Sequence, residues 1–165
     1  MLWTIGNLKN KVPFVTSPNA ILKSIEKVIK IDDTSVVYDL GCGDGRVLFY
    51  LSNLKPKAKY VGIENNLFPL FLAKISLFFK KKNENKIEIK KGNFFNQNLS
   101  EATHVFTYLY PSVIDELLPK LEKELKPGTR FISLSFKFTN KKPIEELDLG
   151  RGKYKLGRKL YIYQF

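Results

Sequence analysis

The chain has 165 residues, of which 44% are hydrophobic and 13% aromatic; a domain of this length buries about 70% of its unfolded surface, which excludes global disorder. One cysteine and one histidine exclude a disulfide framework and a thiolate zinc cluster, and argue against a His-rich metal site. The net charge of +12 allows an anionic partner, but only four of the 28 basic residues are Arg, so a general solvated basic surface is favoured over specific nucleic-acid recognition.

The hydrophobic pattern predicts helices that alternate with strands along most of the chain. The predicted helices cover residues 17–30, 46–54, 67–82 and 114–125, and the predicted strands cover 36–38, 60–63, 87–89, 105–109, 131–136 and 160–163. This order is typical of an α/β fold with a doubly wound, mostly parallel sheet. No long helix separates the last two strands, so the C-terminal strand is predicted to be antiparallel.

No secretory signal or transmembrane segment is recognisable, and the predicted location is cytoplasmic. The most apolar stretch, residues 67–79, is too short to span a bilayer. It is predicted to be a buried helix, with an exposed surface that docks a partner or a membrane as the alternative.

Three segments with binding potential follow the first three predicted strands. Residues 39–45 read Asp-Leu-Gly-Cys-Gly-Asp-Gly, and their glycines allow the backbone to approach a ligand closely. Glu64 ends the second strand and can accept both hydroxyls of a ribose. Asn93 and Phe94 follow the third strand and offer a base a hydrogen bond and an apolar wall. Because ligands of doubly wound sheets bind beyond the carboxyl ends of the strands, we expect one site for a nucleotide-like ligand.

The spacing of the glycines restricts the kind of nucleotide. Arg46 stands where a dinucleotide fingerprint requires glycine, and no Gly-Lys-Ser/Thr of a phosphate-binding loop follows. Asp39, Asp44 and Glu64 would repel a pyrophosphate, whereas they suit S-adenosylmethionine, which carries a sulfonium and an ammonium. Asp44 has a second interpretation, as a cap of the helix that follows.

Longer segments resemble a known family. VYDLGCGDGRVL, VGIENN, KKGNFF and ATHVFTYLYP are similar to segments of the class I, Rossmann-like methyltransferases, over about residues 12–138. The leader VPFVTSPNAILKSIEKV, the DLGxGDGR core and the ELKPGTRF stretch resemble more narrowly the small protein-lysine methyltransferases, a family with mitochondrial and prokaryotic members.

The resemblance implies S-adenosylmethionine as the cofactor and assigns residues to it. Asp39, Gly41, Gly43 and Gly45 would line its methionine and ribose, with Asp44 beside them; Glu64, next to Asn65, would hold the ribose hydroxyls; Asn93 and Phe94 would flank the adenine; Phe14 and Thr16, in the leader, would lie over the cofactor. Asn93 stands where an acidic residue is common in the family, and no membrane anchor is expected before the domain.

The methyl acceptor is predicted to enter beside the end of the fourth strand. Tyr108 and Tyr110 are candidates for positioning it, because aromatic faces attract an ammonium or methylammonium group. The Asn/Asp-Pro-Pro-aromatic tetrad of exocyclic-amine methylation is absent, since Pro111 stands alone after Tyr110. Cys42 lies inside the glycine loop, which argues against a nucleophilic role, and His104 is predicted to be a sheet residue.

The prediction is therefore a single methyltransferase domain, residues 1–165. Residues 1–34 form a leader and helix, 35–138 the cofactor-binding core, and 139–165 a C-terminal hairpin region. The predicted acceptor is a protein lysine amine, and no metal is expected. RNA or small-molecule methylation and a non-catalytic adenosyl-binding module remain as alternatives, and the sequence does not indicate an oligomeric state.

Overall fold

The computed structural model describes residues 19–80, 86–149 and 159–165. The helices are α1 (Asn19–Ile29), α2 (Arg46–Leu54), α3 (Leu67–Lys80) and α4 (Pro111–Glu124), with a 3-10 helix at Phe94–Asn96; the strands are β1 (Val36–Leu40), β2 (Lys59–Glu64), β3 (Lys86–Lys91), β4 (His104–Thr107), β5 (Arg130–Leu134), β6 (Glu145–Asp148) and β7 (Lys159–Gln164). The predictions for Phe14, Thr16, the start of the first helix and the end of the third at residue 82 lie outside the described residues.

The strands form one sheet in the order β3-β2-β1-β4-β5-β7-β6. The pairs from β3 through β5 are all parallel, whereas β7 runs antiparallel to both β5 and β6. The chain crosses from β3 to β4 over two strands, which makes the sheet doubly wound. The predicted Rossmann-like architecture with an antiparallel C-terminal strand is confirmed.

Each face of the sheet carries its own apolar core. Side chains from α1, α2 and α3 pack on one face, where Ile25, Leu48 and Tyr60 are fully buried. Side chains of α4 pack on the other face, against Phe131 and Tyr163. Successive residues of a strand point to opposite faces, so the apolar strands β1, β2, β4 and β5 contribute to both cores.

Three strand predictions were wrong in their extent. β4 ends at Thr107 rather than residue 109, because Tyr110 already precedes the first turn of α4, where Pro111 supplies a fixed φ. β5 ends at Leu134 rather than residue 136, because Ser135 adopts a φ of 71°. β6 was not predicted, since its Glu-Glu-Leu-Asp sequence has the low strand propensity of an exposed edge.

The prediction that residues 67–79 form a buried helix was also wrong in part. α3 buries Pro69, Leu70 and Ala73 against the sheet. Phe71 and Phe78, in contrast, are 60% and 75% exposed. A uniformly apolar sequence hides this distinction, because it carries no polar residues to mark the outer face. Among the described residues, no helix has both the length and the apolar character required to cross a bilayer.

Candidate active site

Parallel register brings the predicted segments to one edge of the sheet. Leu40 of β1 lies beside Ile63 of β2 and beside Thr107 of β4, so residue 41, Glu64 and Tyr108 follow side by side. Glu64 in turn lies beside Lys91, and the Gly92 amide donates to the Glu64 carbonyl at 3.0 Å. The carboxyl ends of four neighbouring strands therefore present the glycine loop, an acid, an asparagine and an aromatic residue together.

The glycine loop takes a backbone path that favours residues without a side chain. Gly41, Gly43 and Gly45 have φ values of 76°, 58° and 78°, in the left-handed region. The amides of Gly41 and Cys42 both donate to the Ile63 carbonyl, at 2.9 and 3.1 Å. The loop therefore folds over the end of β2, and its bare backbone faces the edge where a ligand binds in this class of sheet.

Glu64 is bound to the loop through its carboxylate. Its Oε2 accepts from the Gly43 amide at 2.9 Å, and its Oε1 accepts from the Asn66 amide at 2.7 Å. A carboxylate has about four acceptor positions, so capacity remains for the two hydroxyls of a ribose. The hydrogen bonds fix this half-buried side chain next to the glycine loop.

Asp39 is a carboxyl group buried without compensation. It is 3% exposed in β1, on the face covered by α1 to α3, because Val37 two residues earlier packs there. Among the described residues, none donates a hydrogen bond to its side chain. Burial raises the pKa of Asp39 well above its usual range, and the nearby Glu64 and Asp44 raise it further. An uncompensated carboxyl at this edge fits a cationic ligand, which would favour its ionised form.

The raised pKa predicts how Asp39→Asn changes stability. The folded protein retains a proton that the unfolded chain releases above about pH 4, so the stability of the wild type falls as pH rises through the folded pKa of Asp39. We expect Asp39→Asn to raise the free energy of unfolding at pH 8 by about 1–3 kcal/mol and to change it much less near pH 4. Urea unfolding of the ligand-free proteins across this range measures the difference. A stability difference that does not depend on pH would contradict the raised pKa; His104 titrates in both proteins and cancels.

Asp44 is paired with the helix that follows the loop. Its carboxylate accepts from the Arg46 guanidinium, with Nη2 and Oδ2 2.6 Å apart, and from the Arg46 amide at 3.3 Å. These contacts begin α2 after Gly45. They favour the interpretation of Asp44 as a helix-start residue, and its predicted contact with the cofactor stays a prediction.

The segment after β3 offers an amide and an aromatic ring. The Oδ1 of Asn93 accepts from the Phe95 amide at 3.0 Å and starts the 3-10 helix. Phe94 is half-buried, with its ring centroid 4.9 Å from that of Phe95. Asn65, on the neighbouring strand end, is exposed. This side of the loop has the apolar wall and the hydrogen-bonding group expected for a base.

On the other side of the loop, three aromatic rings form a stack. The Phe136 ring lies between those of Tyr108 and Tyr110, with centroid distances of 6.4 and 5.8 Å. Burial raises the pKa of Tyr108, and a hydrogen bond with Ser135 partly opposes that shift. The Tyr108 phenol therefore stays protonated at neutral pH.

Phe136 and Ser135 are site residues that the sequence pattern did not reveal. The pattern predicts a strand through residue 136, whereas the chain turns at Ser135 and the Ser133 hydroxyl donates to the Phe136 carbonyl at 2.6 Å. A positive φ at a residue other than glycine is a form of local strain that often occurs at functional sites. The position of Ser-Phe after the fifth strand, at the ligand-binding edge, was the available signal.

Cys42 and His104 have the structural surroundings expected of packing residues. Cys42 is buried, and burial together with the Asp39 charge raises the pKa of its thiol. His104 starts β4, and its Nδ1 lies 2.8 Å from the Thr103 hydroxyl. Within the described ranges, no group of His, Cys, Asp or Glu residues is arranged to hold a metal ion.

Known proteins share both the sequence and this fold. The model of the family described as the ANTKMT methyltransferase domain matches residues 39–145, from the buried aspartate through the start of β6. The chain belongs to this family. It is thus a class I methyltransferase that depends on S-adenosylmethionine. The match begins near the carboxyl end of β1, so it contains the glycine loop and every described residue of the aromatic stack.

Three relatives of this methyltransferase extend the comparison. A Protein-lysine N-methyltransferase from Saccharolobus islandicus (strain REY15A) is 36% identical over 152 residues, which are 92% of each protein. A lysine N-methyltransferase of Xenopus laevis, named for an ATP synthase polypeptide, is 24% identical over 78% of this chain and 55% of its own length. The crystal structure of an RNA methyltransferase from Salinibacter ruber, in complex with S-adenosyl-L-homocysteine, is 31% identical with a TM-score of 0.82 and covers 91% of this chain and 93% of its own.

Proposed function

We propose that this methyltransferase transfers a methyl group to the amine of a lysine in a protein. The observation that carries the proposal is the stack of Tyr108, Phe136 and Tyr110 beside the glycine loop. Aromatic faces attract ammonium and methylammonium groups and also exclude water. The Saccharolobus relative, which is named for protein-lysine methylation and is similar over nearly its whole length, supports the same acceptor.

We assign the cofactor to the carboxyl edge of β1, β2 and β3. Gly41, Gly43 and Gly45 would line its methionine and ribose, with the Asp39 carboxyl facing its positive charge. Glu64 would hold the ribose hydroxyls beside Asn65. Asn93 and Phe94 would flank the adenine; the Asn93 amide offers a donor as well as an acceptor. The assignments of Phe14 and Thr16 stay predictions from the sequence.

The protein has to orient the acceptor and exclude water. The bound cofactor supplies an electrophilic methyl group on a sulfonium, and the acceptor lone pair attacks it in line. A lysine attacks only as the neutral amine, and an apolar aromatic entrance lowers its pKa by desolvation. The protonated Tyr108 phenol cannot remove the proton at neutral pH, so it would position the amine through a hydrogen bond.

Loss of the central ring should lower turnover without changing cofactor binding. We expect Phe136→Leu to reduce kcat/KM for a protein acceptor by about tenfold, because the acceptor loses an aromatic contact worth on the order of 1 kcal/mol and its alignment. Phe165→Leu, at a half-buried ring on the antiparallel side of the sheet, is the matched control. Equal activity of the two variants would remove the stack from the acceptor site.

The acceptor class can be tested by labelling. Protein incubated with a cell extract and S-adenosylmethionine carrying an isotopic methyl group should label material that protease removes and nuclease does not. Amino-acid analysis should then recover methyllysine. Label that only nuclease removes would contradict the lysine proposal.

RNA is the second candidate acceptor. The net charge of +12 and the Salinibacter relative, described as an RNA methyltransferase, favour it. The same labelling experiment separates the two, and cofactor binding without any labelled fraction would favour a binding module or a small-molecule acceptor.

We further propose that residues 1–165 act as one domain with the cofactor core at 35–138. In support, all the parallel strands lie between residues 36 and 134, and β6 and β7 complete the same sheet. The cytoplasmic location stays a prediction from the sequence.

A further inference from the structure

The outer side of α3 is an unusual surface for a protein in water. Five of its large apolar side chains point outward, and Phe71, Phe78 and Phe79 are 60%, 75% and 77% exposed. At about 100° per residue, all five fall within one sector of about 120° along the helix. We call this surface the α3 apolar face; its members are Leu67, Phe71, Ile75, Phe78 and Phe79.

Positive charge borders the α3 apolar face. Lys74 is exposed and lies three residues after Phe71 and four before Phe78, next to both on the helix surface. β3 packs beside α3 at the edge of the sheet, and Lys86 and Lys91 at its two ends are exposed. Among the described residues, none of these three lysines forms an ion pair with a carboxylate.

This combination selects one kind of partner. We propose that the α3 apolar face lies in the surface of a lipid bilayer that carries anionic head groups. Exposed Phe and Leu side chains insert at the boundary of head groups and acyl chains, while neighbouring lysines contact the head groups. A second copy of this chain fits less well, because a symmetric contact would bring Lys74 of each copy together between two proteins of +12.

Vesicle binding by the full chain tests the proposal. We expect sedimentation with phosphatidylcholine vesicles that contain about 30% phosphatidylglycerol, weaker binding to phosphatidylcholine alone, and release as NaCl rises from about 50 to about 500 mM. The double variant Phe71→Ser/Phe78→Ser should bind about tenfold more weakly or less, since both apolar contacts are lost. Both side chains are exposed, so the fold and the affinity for S-adenosylhomocysteine should be unchanged.

Two matched controls separate the face from general stickiness and charge. Ile144→Ser removes a side chain that is 57% exposed near β6, at the opposite edge of the sheet, and should leave binding unchanged. Lys74→Glu/Lys91→Glu should weaken binding to the anionic vesicles more than Lys126→Glu, which changes an exposed lysine after α4.

Three results would overturn the proposal. The double Phe variant could bind vesicles as well as the wild type. The wild type could bind no vesicles and stay monomeric. It could also bind no vesicles and form a dimer that Phe71→Ser/Phe78→Ser abolishes, in which case the face is an interface between copies.

Discussion

Gly43→Val should abolish measurable binding of S-adenosylmethionine while the protein remains folded. Gly43 has a φ of 58°, and a β-branched residue is strained there by on the order of 1–3 kcal/mol. The new side chain would also stand in the loop that we propose to line the cofactor, next to the amide that binds Glu64. We expect an affinity at least about 100-fold lower in calorimetry, equivalent to about 2.7 kcal/mol.

Gly128→Val separates strain from obstruction. Gly128 has a φ of 91°, and a Cβ there meets nothing within 4 Å. This variant should lose a similar amount of stability and keep its affinity for the cofactor. Weakened binding in both variants would show that global destabilisation, and not the loop, explains the loss; Gly43→Ala, with its smaller side chain, repeats the comparison in case the valine variant does not fold.

Glu64→Ala should weaken cofactor binding roughly 10- to 150-fold, because the ribose hydroxyls lose a charged acceptor worth on the order of 1.5–3 kcal/mol. The variant also loses the hydrogen bonds from the amides of Gly43 and Asn66, so the loop becomes less ordered. Glu64→Gln keeps the size of the side chain, and an intermediate affinity would apportion the effect between charge and shape.

Glu88→Ala is the control for Glu64. Glu88 is exposed on the adjacent strand β3, where it pairs with Lys90 at 3.5 Å, and its removal should leave affinity unchanged. Equal affinities of Glu64→Ala and the wild type would remove Glu64 from the cofactor site.

The arrangement of the sheet and the cofactor edge followed from local sequence signals. Glycines at 41, 43 and 45 and an acid at the end of the next strand are constraints that act through the backbone, and parallel register then places them side by side. The alternation of strands and helices is equally local. For this reason the amino-acid pattern was sufficient to predict the Rossmann-like fold correctly.

The features that were missed depend on contacts distant in the chain. Phe136 reaches Tyr108 and Tyr110 only because Ser135 turns the chain out of β5. β6 pairs through its backbone with β7, so its polar sequence does not reveal it. The outward side of α3 depends on which of its apolar residues meet the sheet, and a helix apolar on all sides does not show this in its sequence.

The central claim is that the glycine loop, with Asp39 and Glu64 beside it, binds S-adenosylmethionine. Isothermal titration calorimetry of the full chain with S-adenosylmethionine and with S-adenosylhomocysteine tests it most directly. We predict saturable binding of one molecule per chain for both ligands, with Asp39→Asn weakening the affinity for the cationic ligand more than for the neutral sulfide. No heat of binding from a correctly folded sample with either ligand would contradict the account.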